Sequence, residues 1–187
     1  MGSNWRFGRD GAGPAATLAA AAQRENFEFQ CVSLLSSDGS RVSSTRIRSA
    51  ARRGDLEGVR ALLGRDCELY GRVVPDLNIG GSLLDCPTAN LELSAGVSPP
   101  DGVYTGRLDG LPAVVNIGFS PSVAANRMRH RIEAHVMDRK LDLCGRDVML
   151  QLMSFIRPER KFAALEDLRR RIAADIEEAE KTLKTNT

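Results

Sequence analysis

The sequence predicts a mainly β protein: a six-stranded antiparallel barrel with one long carboxy-terminal α-helix, preceded by a small α/β, mostly helical, segment. Three observations lead there. From Cys67 onward, short runs with alternating apolar residues are separated by clusters of Gly, Pro, Ser and Asp, the signal of an antiparallel sandwich or barrel. After them, Phe162, Leu165, Leu168, Ile172, Ile176, Ala179 and Leu183 recur at intervals of three and four, which makes one face of a long amphipathic helix. Before them, helical and strand patterns alternate as in a fragment of an α/β unit. A chain of 187 residues holds one good core, or one core and a small appendage, and the expected division is 1–65 and 66–187.

In chain order, Pro14 sits where a first helical turn would begin, and Ala15 to Gln23 is rich in strong helix formers whose apolar stripe is almost all alanine. Phe27, Phe29 and Cys31 alternate with polar residues ahead of Val32 to Leu35, which reads as a half-buried strand ending at the Ser37-Asp38-Gly39 turn. Ser43, Ser44 and Thr45 offer caps for a helix through Arg53. Asp55 caps another, whose Leu56, Val59, Leu62 and Leu63 face inward before Gly64 stops it. The strands expected in the barrel are Glu68 to Val74, Asn90 to Leu93, Val103 to Leu108, Ala113 to Gly118, Arg131 to Met137 and Asp147 to Ile156. Glu166 and Asp167 suit the positive end of the last helix, and Lys181 and Lys184 its negative end.

Composition excludes several function classes. A net charge of +2, with both signs mixed along the chain, argues against a dedicated nucleic-acid surface. Apolar runs fall short of the roughly 18 residues of a membrane span, and the amino terminus lacks the pattern of a signal peptide, so the cytoplasm or an organelle matrix is expected. Cys31, Cys67, Cys86 and Cys144 form no CxxC pair, and His130 and His135 are the only histidines, which speaks against a structural zinc site or a disulfide framework.

The chemistry is expected at Pro87-Thr88-Ala89-Asn90. Proline suits the first position of a strand, and alternation then points Thr88 and Asn90 the same way. A hydroxyl and an amide carbonyl are two neutral, hard oxygens that suit a magnesium ion completed by nucleotide phosphates and water. The same residues also fit a plain strand start. In Arg131 to Met137, alternation puts Glu133 and His135 on the polar face, where Glu133 suits a base for an attacking hydroxyl in phosphoryl transfer, or simply a solvated strand face. His135 reads as an orienting or packing residue. The loop from Arg157 to Phe162 places a cation and an aromatic ring before a helix, a surface connection or a grip for an anionic product with a planar ring. Asn116 and Gly118 lie where a close ligand or a barrel bend is accommodated. No Gly-x-x-x-x-Gly-Lys loop occurs, so a P-loop kinase is excluded.

Taken in order, PTAN at Pro87 to Asn90, GVYTG at Gly102 to Gly106, NIGFSP at Asn116 to Pro121, EAHVMD at Glu133 to Asp138 and IRPERKF at Ile156 to Phe162 resemble the riboflavin kinase family. The likeness runs from about Leu69 to Lys181 and implies a Greek-key barrel with a carboxy-terminal helix. It implies transfer of the γ-phosphate of ATP to the 5′-hydroxyl of riboflavin, giving FMN and ADP. It further implies Thr88 and Asn90 as ligands of Mg²⁺ or another divalent cation, Glu133 as the base, and Arg157 and Phe162 on the flavin side. Pro87 and Asn116 are expected beside the nucleotide. Asn4 to Gly8 and Val42 to Arg48 resemble the final portion of the FMN adenylyltransferase module of bacterial-type bifunctional FAD synthetases, so residues 1–65 are expected to be a vestigial segment that docks on the barrel or on another chain.

One departure stands out in the kinase half. The family's loop before PTAN carries Gly and Arg, whereas here no Lys or Arg occurs between Arg72 and Arg107. Phosphate charge is then expected to fall to magnesium, to backbone N–H groups around Gly80 and Gly81, and to side chains outside the loop such as Arg72. The departure also motivates a second reading, a non-catalytic flavin-binding or regulatory barrel that has lost productive ATP binding.

Overall fold

The computed structural model describes residues 1–75, 88–122, 127–137, 141, 143–160, 162 and 164–185; of residues 120–122, 127–129 and 165 the backbone alone is described. Two compact units divide between Arg46 and Ile47. In the first, β1 (Arg6–Phe7) pairs antiparallel with β2 (Gly13–Pro14), α1 (Ala15–Glu25) follows, and β3 (Ser36–Ser37) pairs with β4 (Ser40–Arg41). Pro14, at φ −74, is the N-cap of α1, consistent with its place at the helix entrance. The expected strand from Phe27 to Leu35 is corrected: its link is an isolated bridge between Val32 and Gly2, and Val32 is 54% and Leu35 75% exposed. Alternation makes a strand only where a sheet face covers the apolar side, and this unit provides none.

The second unit begins within α2 (Ser44–Arg52), whose first turn is capped by Ser43 Oγ accepting from the Arg46 backbone N–H at 3.3 Å. Asp55 caps α3 (Leu56–Leu63), accepting from the Gly58 N–H at 2.8 Å, and Gly64, left-handed at φ 72, ends it. Ala50, Ala51, Leu56 and Val59 belong to the same hydrophobic cluster as the barrel interior. The boundary expected at 65/66 therefore lies inside this unit.

The barrel consists of β5 (Cys67–Val74), β6 (Ala89–Ala95), β7 (Gly102–Leu108), β8 (Leu111–Ser122), β9 (Arg127–Val136) and β10 (Asp147–Arg157). It is closed in the order β10-β5-β6-β9-β8-β7, with antiparallel neighbours throughout. Strands β7, β8 and β9 form a meander and β10 returns beside β7, the Greek-key order. Asp109 and Gly110, at φ 48 and 83, form the positive-φ pair of a two-residue hairpin between β7 and β8. The Asp109 carboxylate also accepts from the Met149 N–H of β10 at 2.8 Å, tying the turn to the neighbouring strand.

Alternation along the strands sorts inside from outside. Ala113, Val115 and Ile117 of β8 and Ile132, Ala134 and Val136 of β9 are buried in the interior cluster. Their neighbours Val114, Asn116, Glu133 and His135 face outward. Over that outer face lies α4 (Leu165–Thr185), whose Ala179 and Leu183 form a second buried cluster with Met137 and Met153, joined by Val114, Ile156 and Ile176. Burying a side chain such as Leu183 stabilises the docking by about 1.5–3 kcal/mol. No helix among the described residues is long and apolar enough to cross a membrane.

Candidate active site

The strand register builds the site. Glu133 on β9 stands opposite Asn90 on β6 and opposite Asn116 on β8. Asn116 in turn stands opposite Val103 on β7, and Val103 opposite Arg157 at the end of β10. A carboxylate is thus flanked by two carboxamides in one row that continues to a guanidinium. All of this row but Asn90 lines a cavity of about 260 Å³. The barrel side contributes Val103, Val114, Asn116, Glu133 and His135; Leu168, Ile172 and Asp175 of α4 face them; Arg157, Glu159, Arg160 and Phe162 come from the connection between β10 and α4; and exposed Thr88 stands at an edge. The apolar members sit together with one carboxylate-bearing row, the arrangement expected of a pocket that holds a ring and orients a polar tail.

Arg131 Nη1 lies 3.8 Å from Glu133 Oε1, so a cation on the same strand face accompanies the carboxylate. Asn90 is 6% exposed, and among the described residues its Oδ1 meets no hydrogen-bond donor. A buried carbonyl oxygen without a donor costs about 1–3 kcal/mol, and its open lone pairs suit a hard cation. Among the described residues no group of three or more His, Cys, Asp or Glu gathers to hold a metal. A cation here would rest on neutral oxygens from Thr88 and Asn90 and take its other ligands from substrate and water, the habit of magnesium rather than of zinc. The residues present fit that ion.

Arg157 is tied down by a carboxylate on the buried side of α4, Asp175. Its Nε lies 3.0 and 3.1 Å from the two carboxylate oxygens of Asp175, and its Nη2 donates to Oδ2 at 2.7 Å. Asp175 is 2% exposed and also meets Arg171 Nε at 2.9 Å. The Arg157 guanidinium lies 5.8 Å from the Phe162 ring centroid, as does that of Arg160. A Cβ on Gly118 would fall 2.4 Å from the Glu159 carboxyl group, so the missing side chain at Gly118 makes room for Glu159 against β8.

The structure therefore brings Thr88, Glu133, Asn116, Arg157 and Phe162 around one cavity, with Asn90 beside Glu133. Gly80, Gly81 and Pro87 lie outside the described residues. Arg72, expected to help with phosphate charge, is engaged elsewhere: its Nε and Nη2 donate to Asp147 at 2.9 and 3.0 Å, a pairing that raises the arginine pKa and lowers that of the carboxylate. Asp175 escaped the sequence reading, although an acid at the third position after Ile172 and four before Ala179 was a signal. A charge on the buried face of a helix requires partners.

The family model described as flavokinase, riboflavin kinase, matches residues 63–183, well over half of the chain. The chain belongs to the riboflavin kinase family. It is 36% identical over 180 residues to the bifunctional riboflavin kinase/FMN adenylyltransferase of Escherichia coli (strain K12), covering 94% of this chain and 56% of the relative. The Pseudomonas fluorescens protein of the same description is 34% identical, covering 94% of this chain and 57% of the relative. The chain thus spans little more than half the length of these relatives. A crystal structure of a macrolide-efflux protein from Streptococcus pneumoniae superposes with a TM-score of 0.75 at 28% identity, covering 96% of this chain and 58% of that one. The row Asn90, Glu133, Asn116 and the cavity beside it fall within the region matched by the riboflavin kinase model.

Proposed function

We propose that this chain is a riboflavin kinase, transferring the γ-phosphoryl group of ATP to the ribityl 5′-hydroxyl of riboflavin to give FMN and ADP. The observation that carries the reading is the placement of Glu133: a carboxylate lining the cavity that Val103, Val114, Phe162, Leu168 and Ile172 also line, flanked in register by Asn90 and Asn116. The isoalloxazine ring occupies the apolar part, against Val103, Leu168, Ile172 and Phe162, and the ribityl chain runs toward Glu133. Glu133 takes the proton of the 5′-hydroxyl as its oxygen bonds to the γ-phosphorus. The bond from that phosphorus to the β,γ-bridging oxygen breaks, and ADP leaves with the electron pair.

Thr88 and Asn90 are the residues that would hold magnesium. When bound, the ion neutralises phosphate charge as it develops. The carboxamide of Asn116, in register with Glu133, orients polar substrate groups, and the enclosing α4 limits access of water to the reacting oxygen. Incubation with riboflavin, ATP and Mg²⁺, followed by chromatography, is expected to yield FMN and ADP in equal amounts. ATP consumption without FMN, or no reaction in folded protein, overturns the reading.

A further inference from the structure

We infer that Asp175 is a positioning residue for the ring-binding wall, fixing the plane of the Arg157 guanidinium and with it the Arg157–Phe162 pair on which a flat aromatic substrate rests; the inference builds on the riboflavin kinase reading. Asp175 stands at 2% exposure on the barrel-facing side of α4, between Ile172 and Ala179. A carboxylate there is stable only when its lone pairs are satisfied. Both of its oxygens are engaged by Arg157 through Nε and Nη2, and Arg171 adds a further cation. Such a fork sets the orientation of a planar group as well as its position. The remaining Arg157 nitrogen, Nη1, donates to the Pro158 carbonyl at 3.0 Å, so the guanidinium is held on three sides. The guanidinium carbon lies over the Phe162 ring, 5.8 Å from its centroid, and Arg157, Phe162 and Asp175 all line the cavity.

Here the carboxylate acts through Arg157, away from Glu133 on the barrel side, so its effect falls on affinity for the ring and not on the proton transfer or on ATP. Docking of α4 also draws on the apolar cluster of Ala179 and Leu183 with Met137 and Met153.

The test compares wild type, Asp175→Asn, Arg157→Lys and the double variant in the full chain. Riboflavin binding is read without nucleotide from quenching of its fluorescence, and the KM values of riboflavin and ATP are read in the kinase assay. Each single variant is expected to weaken riboflavin binding and raise its KM by roughly tenfold with the ATP KM and kcat within about twofold, and the double variant to be no worse than the poorer single. Unchanged riboflavin binding in folded Asp175→Asn, or an equal rise in both KM values, overturns the inference. Should Asp175→Asn fail to fold by circular dichroism, Arg157→Lys decides alone, since it leaves the Arg171 partner in place: unchanged riboflavin affinity overturns the inference. Wild type that makes FMN while the variants are unaffected refutes this role only. Wild type that neither binds riboflavin nor makes FMN refutes the functional reading and this role with it.

Discussion

Asn90 on β6 and Glu133 on β9 stand directly opposite each other, a buried carboxamide whose oxygen meets no donor among the described residues beside a carboxylate that lines the cavity. If that oxygen is a cation ligand, Asn90→Ala is expected to raise the magnesium concentration for half-maximal activity while leaving riboflavin binding unchanged. Asn90→Asp places like charges across a strand pair and is expected to lower Tm without metal, with Mg²⁺ restoring more of it than in wild type. Magnesium titrations of activity and Tm check both; unchanged half-saturation in the alanine variant would return Asn90 to a structural role.

Two glycines with equally tight surroundings are expected to behave differently. At Gly118 a Cβ would meet the Glu159 carboxyl at 2.4 Å, the movable end of a side chain, whereas at Gly106 it would meet the Gln151 backbone oxygen at 2.3 Å. Gly106→Ala is expected to destabilise the barrel by about 1–3 kcal/mol through overpacking. Gly118→Ala should keep wild-type stability, shift Glu159 and change the riboflavin KM. Urea denaturation of both variants gives the comparison, and equal stability losses would refute it.

Tyr104 is 1% exposed inside the barrel and donates to the Pro100 carbonyl at 2.6 Å. Burial, aided by the negative charge of Asp101, pushes its pKa up to about 12 from an ordinary value of 10.0. Above pH 10 the unfolded chain loses this proton while the folded chain keeps it, so stability is fully present below pH 10 and falls as pH rises toward 12. Tyr104→Phe is expected to cost about 1 kcal/mol at neutral pH and to reduce the alkaline loss. Denaturant midpoints at pH 7 and pH 11 test this, and an identical alkaline loss in the variant would contradict it.

The barrel was legible where a strand alternates: Glu133 and His135 on the polar face of Arg131 to Met137, read off the sequence, are half-buried outside, while Ile132, Ala134 and Val136 are buried inside. Caps were legible where one local hydrogen bond decides, as at Asp55 and Gly64. The extension of β8 through Pro121 was not, because Ser120-Pro121-Ser122 reads as a turn until pairing with Arg127, Met128 and Arg129 is known. Nor was the affiliation of Ala50 and Ala51 with the barrel core, since small residues on a short helix carry no directional signal. The expected strand before Leu35 failed because periodicity marks an apolar side without showing what covers it. At the site, short motifs single out residues one at a time, while the alignment of Asn90, Glu133 and Asn116 depends on register, and the Arg157–Asp175 pair joins positions 18 residues apart.

The most direct measurement is FMN formation by Glu133→Gln, a change that keeps the shape of the side chain and removes its capacity to accept the proton. The account predicts turnover lowered by about 10²–10⁴-fold, with Tm and riboflavin fluorescence quenching close to wild type. A folded variant that binds riboflavin and retains more than about half of wild-type turnover would contradict it, because general-base removal is worth orders of magnitude.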